Sequence, residues 1–356
     1  MKLCIIAAAC LAVVSCASIS LEDLEFHAWK LKFGKVYESP EEEAYRKDIW
    51  LSSRRMVLAH NILADQGIHT YHMGMNHLSD MSDEEYRLSL HSMVPRDFLN
   101  WTVGGASIHR WEGTELPASV DWRTEGCVTP VRFQGYCGSC WAFSSAGAIE
   151  SHTCIKFKRL PILSVQQLLD CSSSPTYGNK GCKYGYAAKT FIYVMKSPGL
   201  VMEKAYPYKG KVTRCKYDGE IPNDIIGARV SDFVNVTSED EDALKNAVAT
   251  QGPVSIAMDH SHISFKAYQS GVYYEPQCST HDSTHLMLVV GYGTENGQDY
   301  WLVKNSWGTA WGEKGYIKMA RNRNNNCGTA TYAFYPIVKK GGMMPKRNDD
   351  ISFTYM

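Results

Sequence analysis

The sequence predicts an α+β protein with a helical N-terminal segment, and three observations carry that prediction. Residues from Leu21 to about Gln66 are strongly charged and read as helix. The stretch "CWAFSSAGAIESHTCIKF", which begins at Cys140, holds good helix formers and no proline. Two apolar runs near the C-terminus, "HLMLVVGYG" and "DYWLVKNSWG", flank Asn296-Gly297, a strong β-hairpin signal. At 356 residues the chain is long enough for a large core and for more than one folding unit. Its 37 basic and 37 acidic residues cancel, which leaves a nucleic-acid footprint without support.

In chain order, "MKLCIIAAACLAVVSCASIS" comes first. Lys2 precedes an apolar run from about Leu3 to Val14, and small residues follow at Ser15-Cys16-Ala17. That pattern predicts a secretory signal over residues 1–17, too short for a membrane span. No other stretch approaches spanning length. In the helical segment, "ESPEEEAYRKD" supplies an acidic start at Ser39-Pro40. Glu42, Arg46, Trp50, Ser53, Val57 and Asn61 recur every three or four residues, which places them on one helix face. No cysteine falls between Ala17 and Cys127, whereas nine follow, so the N-terminal segment reads as a separate unit. Between the two, "VPRDFLNWTVGGASIHRWEGTELP" lacks periodicity and reads as an exposed linker ending near Pro117. Asn100 and Asn235 stand in glycosylation sequons. The tail, residues 339–356, is polar and Gly-rich and is expected to be flexible.

The chemistry turns on "QGYCGSCWAF", with Cys137 and Cys140 two residues apart. Three of the 12 cysteines lie in the signal, and the remaining nine are an odd number, so at least one thiol lacks an intrachain partner. A redox pair would call for a surrounding βαβ pattern, and a zinc site for a second close pair of ligands. Neither accompanies this stretch. The better reading makes Cys137 structural and Cys140 a nucleophile at a helix N-terminus, where free N–H groups favour the thiolate. An imidazole must share the proton and a third group must hold the ring. His285 precedes the first hairpin strand and Asn305 follows the second, so antiparallel pairing brings them near the same end of the sheet. His281 lies in the same "THDSTHLM" stretch. It is set aside as an exposed loop side chain, and the other histidines are expected to be solvated or structural.

"CGSCWAF", "HLMLVVGYG" and "KNSWG" together resemble the papain family of cysteine peptidases. That family's signature pairs Cys-Gly-[Ser/Ala]-Cys-[Trp/Tyr] with a His and an Asn about 130–150 residues downstream. His285 falls in that interval and Asn305 somewhat beyond it. "GIHTYHMGMNHLSDM", "GCVT" and "YGNKGC" look most like the cathepsin S type within the cathepsin L branch. The resemblance implies a papain-like two-lobe fold, with a helical lobe opening at Cys140 and a β-barrel-like lobe carrying His285 and Asn305. It implies a helical inhibitory propeptide over residues 18–115 and a peptidase domain over 116–338. It also implies that Gln134 joins the Cys140 backbone N–H around the oxyanion, and that Trp307 shields the imidazole. The implied disulfides are Cys137–Cys182, Cys171–Cys215 and Cys278–Cys327; Cys127 and Cys154 stay open between pairing and packing as small hydrophobes. No cofactor or metal is implied. Protein or peptide substrates, the chain's own propeptide and cystatin-type inhibitors are the implied partners of a monomer in the lysosome or outside the cell.

The helix-face series resembles the family's propeptide helix, with Ser53 and Val57 where Asn and Ile are usual. Gly74, Asn76, Leu78 and Asp80 match a second propeptide motif in which Leu78 replaces Phe. Acid is expected to loosen the propeptide by protonating carboxylates such as Asp80. Other departures fall in the cleft. Tyr184 replaces the first glycine of a pair whose second member, Gly185, is kept. Leu286 follows His285 where glycine or alanine is usual, and Thr284 precedes it in place of Asp or Asn. Tyr186, Ala187, Ala257, Ser283, Leu286 and Tyr332 match the main specificity pocket, which Leu286 and Tyr332 should make shallow and selective for medium aliphatic side chains. Crowding by Leu286 and Tyr184 keeps one alternative open, a catalytically weak binding protein; the intact Gln134, Cys140, His285 and Asn305 favour the enzyme.

Overall fold

A computed structural model describes residues 20–89, 107–111, 113, 115–173, 175–217 and 221–340. The signal over 1–17, the sequon at Asn100 and nearly all of the tail lie outside the described residues.

The N-terminal helical segment divides in two at Gly34. Helix α1 (Leu21–Phe33) starts at a capping box in which Ser20 and Asp23 exchange hydrogen bonds, and ends where Gly34 turns left-handed. Helix α2 (Pro40–Asp65) takes Ser39 as N-cap, Pro40 in its first turn and three glutamates beside its positive end. Phe26, Trp29 and Trp50 pack between the two helices. A short strand β1 (Tyr71–Met73), helix α3 (Asp83–Ser89) and strand β2 (Ser107–His109) complete this segment.

The rest of the chain opens with β3 (Val120–Asp121) and then places α4 (Cys140–Phe157), α5 (Val165–Cys171) and α6 (Ala187–Lys196) before β4 (Leu200–Val201). The remaining elements are β5 (Ile226–Val236), α7 (Glu241–Thr250), β6 (Val254–Met258), α8 (Ile263–Lys266), β7 (Tyr268–Tyr273), β8 (His285–Glu295), β9 (Gln298–Lys304), β10 (Tyr316–Ala320) and β11 (Tyr332–Lys339). The helices thus precede most of the strands, as an α+β protein requires. One sheet runs β1-β7-β10-β9-β8-β6-β11-β5-β2, with β3 on β8 and β4 on β5. Both outermost strands of that path belong to the N-terminal segment: β1 pairs antiparallel with β7, and β2 parallel with β5.

Strand β8 shows why its sequence is a continuous apolar run. Met287 and Val289 face one core with Trp301, Trp311 and Phe265, while Leu286, Leu288 and Val290 face the other, with Trp141, Leu168 and Phe191. The hairpin to β9 closes on Asn296 and Gly297, both at positive φ (50° and 76°), the geometry that favours this dipeptide. Four disulfides staple the chain: Cys127–Cys154, Cys137–Cys182, Cys171–Cys215 and Cys278–Cys327. All lie after residue 126, and Cys127 and Cys154, which the sequence left open, are bonded.

Candidate active site

Cys140 is the one cysteine of the nine outside a disulfide, and it is buried as the first residue of α4. Ser139 occupies the N-cap position without a side-chain cap, because its hydroxyl bonds Tyr208 Oη at 2.7 Å instead. The positive end of α4 is therefore presented at the Cys140 sulfur rather than to a neighbouring carboxylate. One turn along, Ser144 Oγ donates to the Met287 carbonyl at 2.5 Å and bonds Ser255 Oγ at 2.7 Å. Those contacts dock the start of α4 on the start of β8, where His285 is the first residue.

His285 is buried, and its Nε2 lies 2.9 Å from Asn305 Oδ1. The same oxygen accepts the Ser306 backbone N–H at 2.7 Å. A backbone donor fixes that atom as oxygen, so His285 Nε2 must donate, and Nδ1 is the nitrogen able to take a thiol proton. Cross-strand register alone would set Asn305 opposite Met287, because Leu288 pairs with Lys304. The Asn305 side chain closes the remaining distance to the imidazole. Trp307 lies against His285 with ring centroids 5.2 Å apart.

Gln134 is held from both lobes. Its Nε2 donates to the Cys137 carbonyl at 2.9 Å, its Oε1 accepts from Ser306 Oγ at 2.6 Å, and its backbone oxygen accepts from Tyr208 Oη at 2.8 Å. A second N–H on the same nitrogen remains available for an anion. Gly185 lies where a Cβ would meet the Trp141 indole at 2.3 Å, so any larger residue there would displace the residue after Cys140. Tyr184 is half-buried with its ring edge-on to Tyr186.

Tyr186, Ala187, Ala257, Leu286 and Tyr332 line one pocket, joined by Ser255, Ile256 and Phe334. Ser283, expected among them, is buried but not in its lining. It precedes the strand, beyond the stretch of β6 and β8 that forms the wall. Asn235 is half-buried on β5, between Phe334 of β11 and Ile108 of β2. Asp259, His262 and Cys278 approach one another, but the Cys278 sulfur is bonded to Cys327 and offers no thiolate to a metal.

Two features escaped the sequence reading. The first is His260, expected to be solvated or merely structural, which stacks on His285 at 4.5 Å. Its Nδ1 bonds Thr284 Oγ1 at 2.6 Å, and burial followed by the neighbouring imidazole holds its pKa well below the ordinary value. The second is a buried network beneath the site. Glu150 on α4 accepts from Arg132, Thr129 and the Leu163 backbone N–H, while Lys304 Nζ donates to both oxygens of Thr129. Burial pushes the Lys304 ammonium down to about 8. The network ties the Cys140 helix to the residue before Asn305. No sequence pattern announces it, since its members come from four separated stretches.

The N-terminal segment covers this site. Arg46 binds Glu85 and the Asp80 carbonyl, Ser53 Oγ donates to the Ser79 carbonyl, and Asn61 exchanges two hydrogen bonds with Met73. Asp80 accepts from Lys35 and Tyr37, and Asn76 Nδ2 donates to the Lys266 carbonyl on α8 at 2.7 Å. Tyr86, almost wholly buried, donates its hydroxyl to the His260 carbonyl at 2.7 Å.

Comparison with known proteins places these features in company. Residues 116–337 match the papain family cysteine protease description, and residues 26–86 match the cathepsin propeptide inhibitor domain. Cathepsin S of Mus musculus is 44% identical over 317 residues, covering 89% of this chain and 91% of its own. Cathepsin L of Sarcophaga peregrina is 46% identical over 88% of this chain and 92% of its own. Cathepsin J of Mus musculus reaches 47% over 89% and 92%. Among solved structures, digestive procathepsin L 3 of Tenebrio molitor larval midgut superposes with a TM-score of 0.81 at 38% identity, covering 89% of this chain and 99% of that one.

Proposed function

The chain belongs to the papain family of cysteine proteases, and we propose that within it Cys140 is the nucleophile and His285 its proton partner. The protein is a cysteine endopeptidase made as a zymogen, with the fold of its procathepsin relatives. The observation that carries the assignment of roles is the Asn305 amide, pinned by the Ser306 N–H so that His285 must present Nδ1 as its basic nitrogen. The Cys140 proton passes to that nitrogen, and the thiolate is favoured by the α4 N-terminus. The sulfur attacks the substrate carbonyl carbon, and the carbonyl oxygen takes the negative charge. Gln134 Nε2 and the Cys140 N–H stabilise that oxyanion. The C–N bond then breaks as His285 protonates the leaving amine. Water, activated by the same imidazole, hydrolyses the thioester and regenerates the thiol.

The pocket under Leu286 receives the side chain that sets specificity, and Leu286 with Tyr332 restricts it to medium aliphatic groups. Residues 18–115 act as the inhibitor, with cleavage in the linker before residue 116. Four disulfides and the signal over 1–17 support passage through the secretory pathway to the lysosome or outside the cell. Among the described residues no helix is long and apolar enough to cross a membrane. A monomer open to cystatin-type inhibitors completes the reading.

The test is labelling of the acid-matured protein with a thiol-directed epoxide, together with hydrolysis of a fluorogenic peptide. Both should occur in the wild type and vanish in Cys140→Ala. Labelling without hydrolysis would point instead to a catalytically weak binding protein.

A further inference from the structure

We propose that Lys266 makes the mature enzyme favour an acidic side chain just after the scissile bond. The proposal rests on the assignment of Cys140 and His285 and adds the substrate class on the leaving-group side.

His285 must hand its proton to the leaving amine, so the residue bearing that amine passes on the imidazole's side of the sulfur. Strand alternation separates this side from the specificity pocket: Leu286 points into the pocket, whereas His285 faces Phe265 and Trp307. In the zymogen the space beside Trp307 is filled by Tyr86 of the propeptide. Its ring meets Trp307 at 6.3 Å and His260 at 6.0 Å, both edge-on. Lys266 stands at the far side of that ring, with Nζ 5.8 Å from its centroid.

The surroundings of Lys266 show what it prefers. Only 3% of it is exposed, and its Nζ donates to the Met81 carbonyl at 2.8 Å and lies 3.8 Å from Asp83 Oδ1. Burial lowers the pKa of the ammonium, and the carboxylates that oppose this are Asp83, Asp80 and Glu85, all in the propeptide. The enzyme's own nearby carboxylate, Asp259, is committed elsewhere: it accepts the backbone N–H groups of Ser261 and Ser279 and sits 3.7 Å from His262 Nε2. Removal of the propeptide takes away the carbonyl and all three carboxylates together. A cation stripped of its counter-charges and of the Tyr86 ring then faces the groove through which the leaving segment passes. A substrate carboxylate restores what the propeptide supplied, and a substrate lysine meets like charge.

The test uses mature enzyme and internally quenched peptides that are identical up to the scissile bond. They carry Asp, Gln or Lys at the first or second position after it, and a dye amide with no residue there serves as reference. Hydrolysis of the dye amide, lost in Cys140→Ala, tests the Cys140–His285 assignment separately. The Asp peptide is expected to exceed the Lys peptide about five-fold in kcat/KM at the preferred position, as for a partly exposed ion pair. The ratio should shrink with added salt. In Lys266→Glu the order should reverse, measured as a ratio within one preparation. Because Lys266 also holds Met81, this variant can disturb zymogen folding; the salt dependence of the wild-type ratio is then the deciding readout. Cleavage of the dye amide with Asp and Lys peptides within two-fold of each other would overturn the proposal and leave the protease assignment standing. No cleavage of any substrate would overturn the assignment on which it rests.

Discussion

The propeptide and the peptidase domain are built from the same elements but held by different forces. The propeptide holds its own fold with ion pairs that keep some contact with water, such as Lys35–Asp80 and Arg46–Glu85, and with the two hydrogen bonds between Asn61 and Met73. It meets the peptidase domain through single hydrogen bonds such as that from Asn76 to the Lys266 carbonyl. The peptidase domain relies on four covalent bridges and on Glu150, a carboxylate with no exposed surface that takes three donors. Charges near water are weakened by salt and acid, whereas a buried network and a disulfide are not removed by either in the same range. A segment that must leave keeps its own shape with bonds that conditions can dissolve.

The largest expected effect lies on the permanent side. Glu150→Ala, in a Cys140→Ala background that prevents autolysis, should lose about 4 kcal/mol, because Arg132 would keep only its longer contact to Glu203 and the buried Lys304 would lose the nearby carboxylate that favours its charge. Denaturant unfolding measures this, and a loss below about 1 kcal/mol would show that water replaces the carboxylate. On the removable side the largest effect belongs to pH. His77 packs between Phe33 and Phe133 with neither ring nitrogen hydrogen-bonded, and burial pushes its pKa from 6.5 down to about 4. A lowered pKa means that the released propeptide takes a proton that the docked one refuses. Docking is therefore fully supported above pH 6.5 and weakens as pH falls toward 4. Zymogen conversion, followed by mass, should accelerate by at most about tenfold per pH unit in that window, the limit for one proton. His77→Phe should flatten the profile, and an unchanged slope would show that His77 does not set it.

A smaller effect is expected from Asn76→Ala, which leaves the Lys266 carbonyl without its buried donor. Residual activity of the unconverted zymogen on a small fluorogenic peptide should rise about tenfold, the cost of one unsatisfied buried group. The smallest belongs to Glu85→Gln. Glu85 is partly exposed, and its pKa is lowered by Ser82 and Arg46 against an opposing burial effect. Its contribution is present at neutral pH and lost in acid, and the substitution should cost no more than about 1 kcal/mol. A larger loss would mean that the two regions are held less differently than their contacts indicate.

How much was legible beforehand follows the same division. The recurrence of Glu42, Arg46, Trp50, Ser53, Val57 and Asn61 is local, and in the fold Arg46, Ser53 and Asn61 all reach the loop and strand beside α2. Asn296-Gly297 is local too, and the hairpin it closes brings His285 and Asn305 within a hydrogen bond of each other. The break of the first helical segment at Gly34 was missed, because a single glycine in a charged run reads as a tolerated helix residue until the left-handed turn is seen.

Composition and spacing by themselves determined the helix that opens at Cys140, the odd cysteine count and the hairpin, and the motifs carried the resemblance that implied the α+β class. Each depends on residues a few positions apart, so periodicity and turn chemistry suffice to read them. Only the tertiary structure decided that Cys127 bonds Cys154, that Glu150 gathers Arg132 and Thr129, that His260 lies on His285, and that Lys266 draws its carboxylates from the propeptide. Those pairings join distant stretches of chain, and their energies come from burial and proximity, which do not exist until the chain has folded.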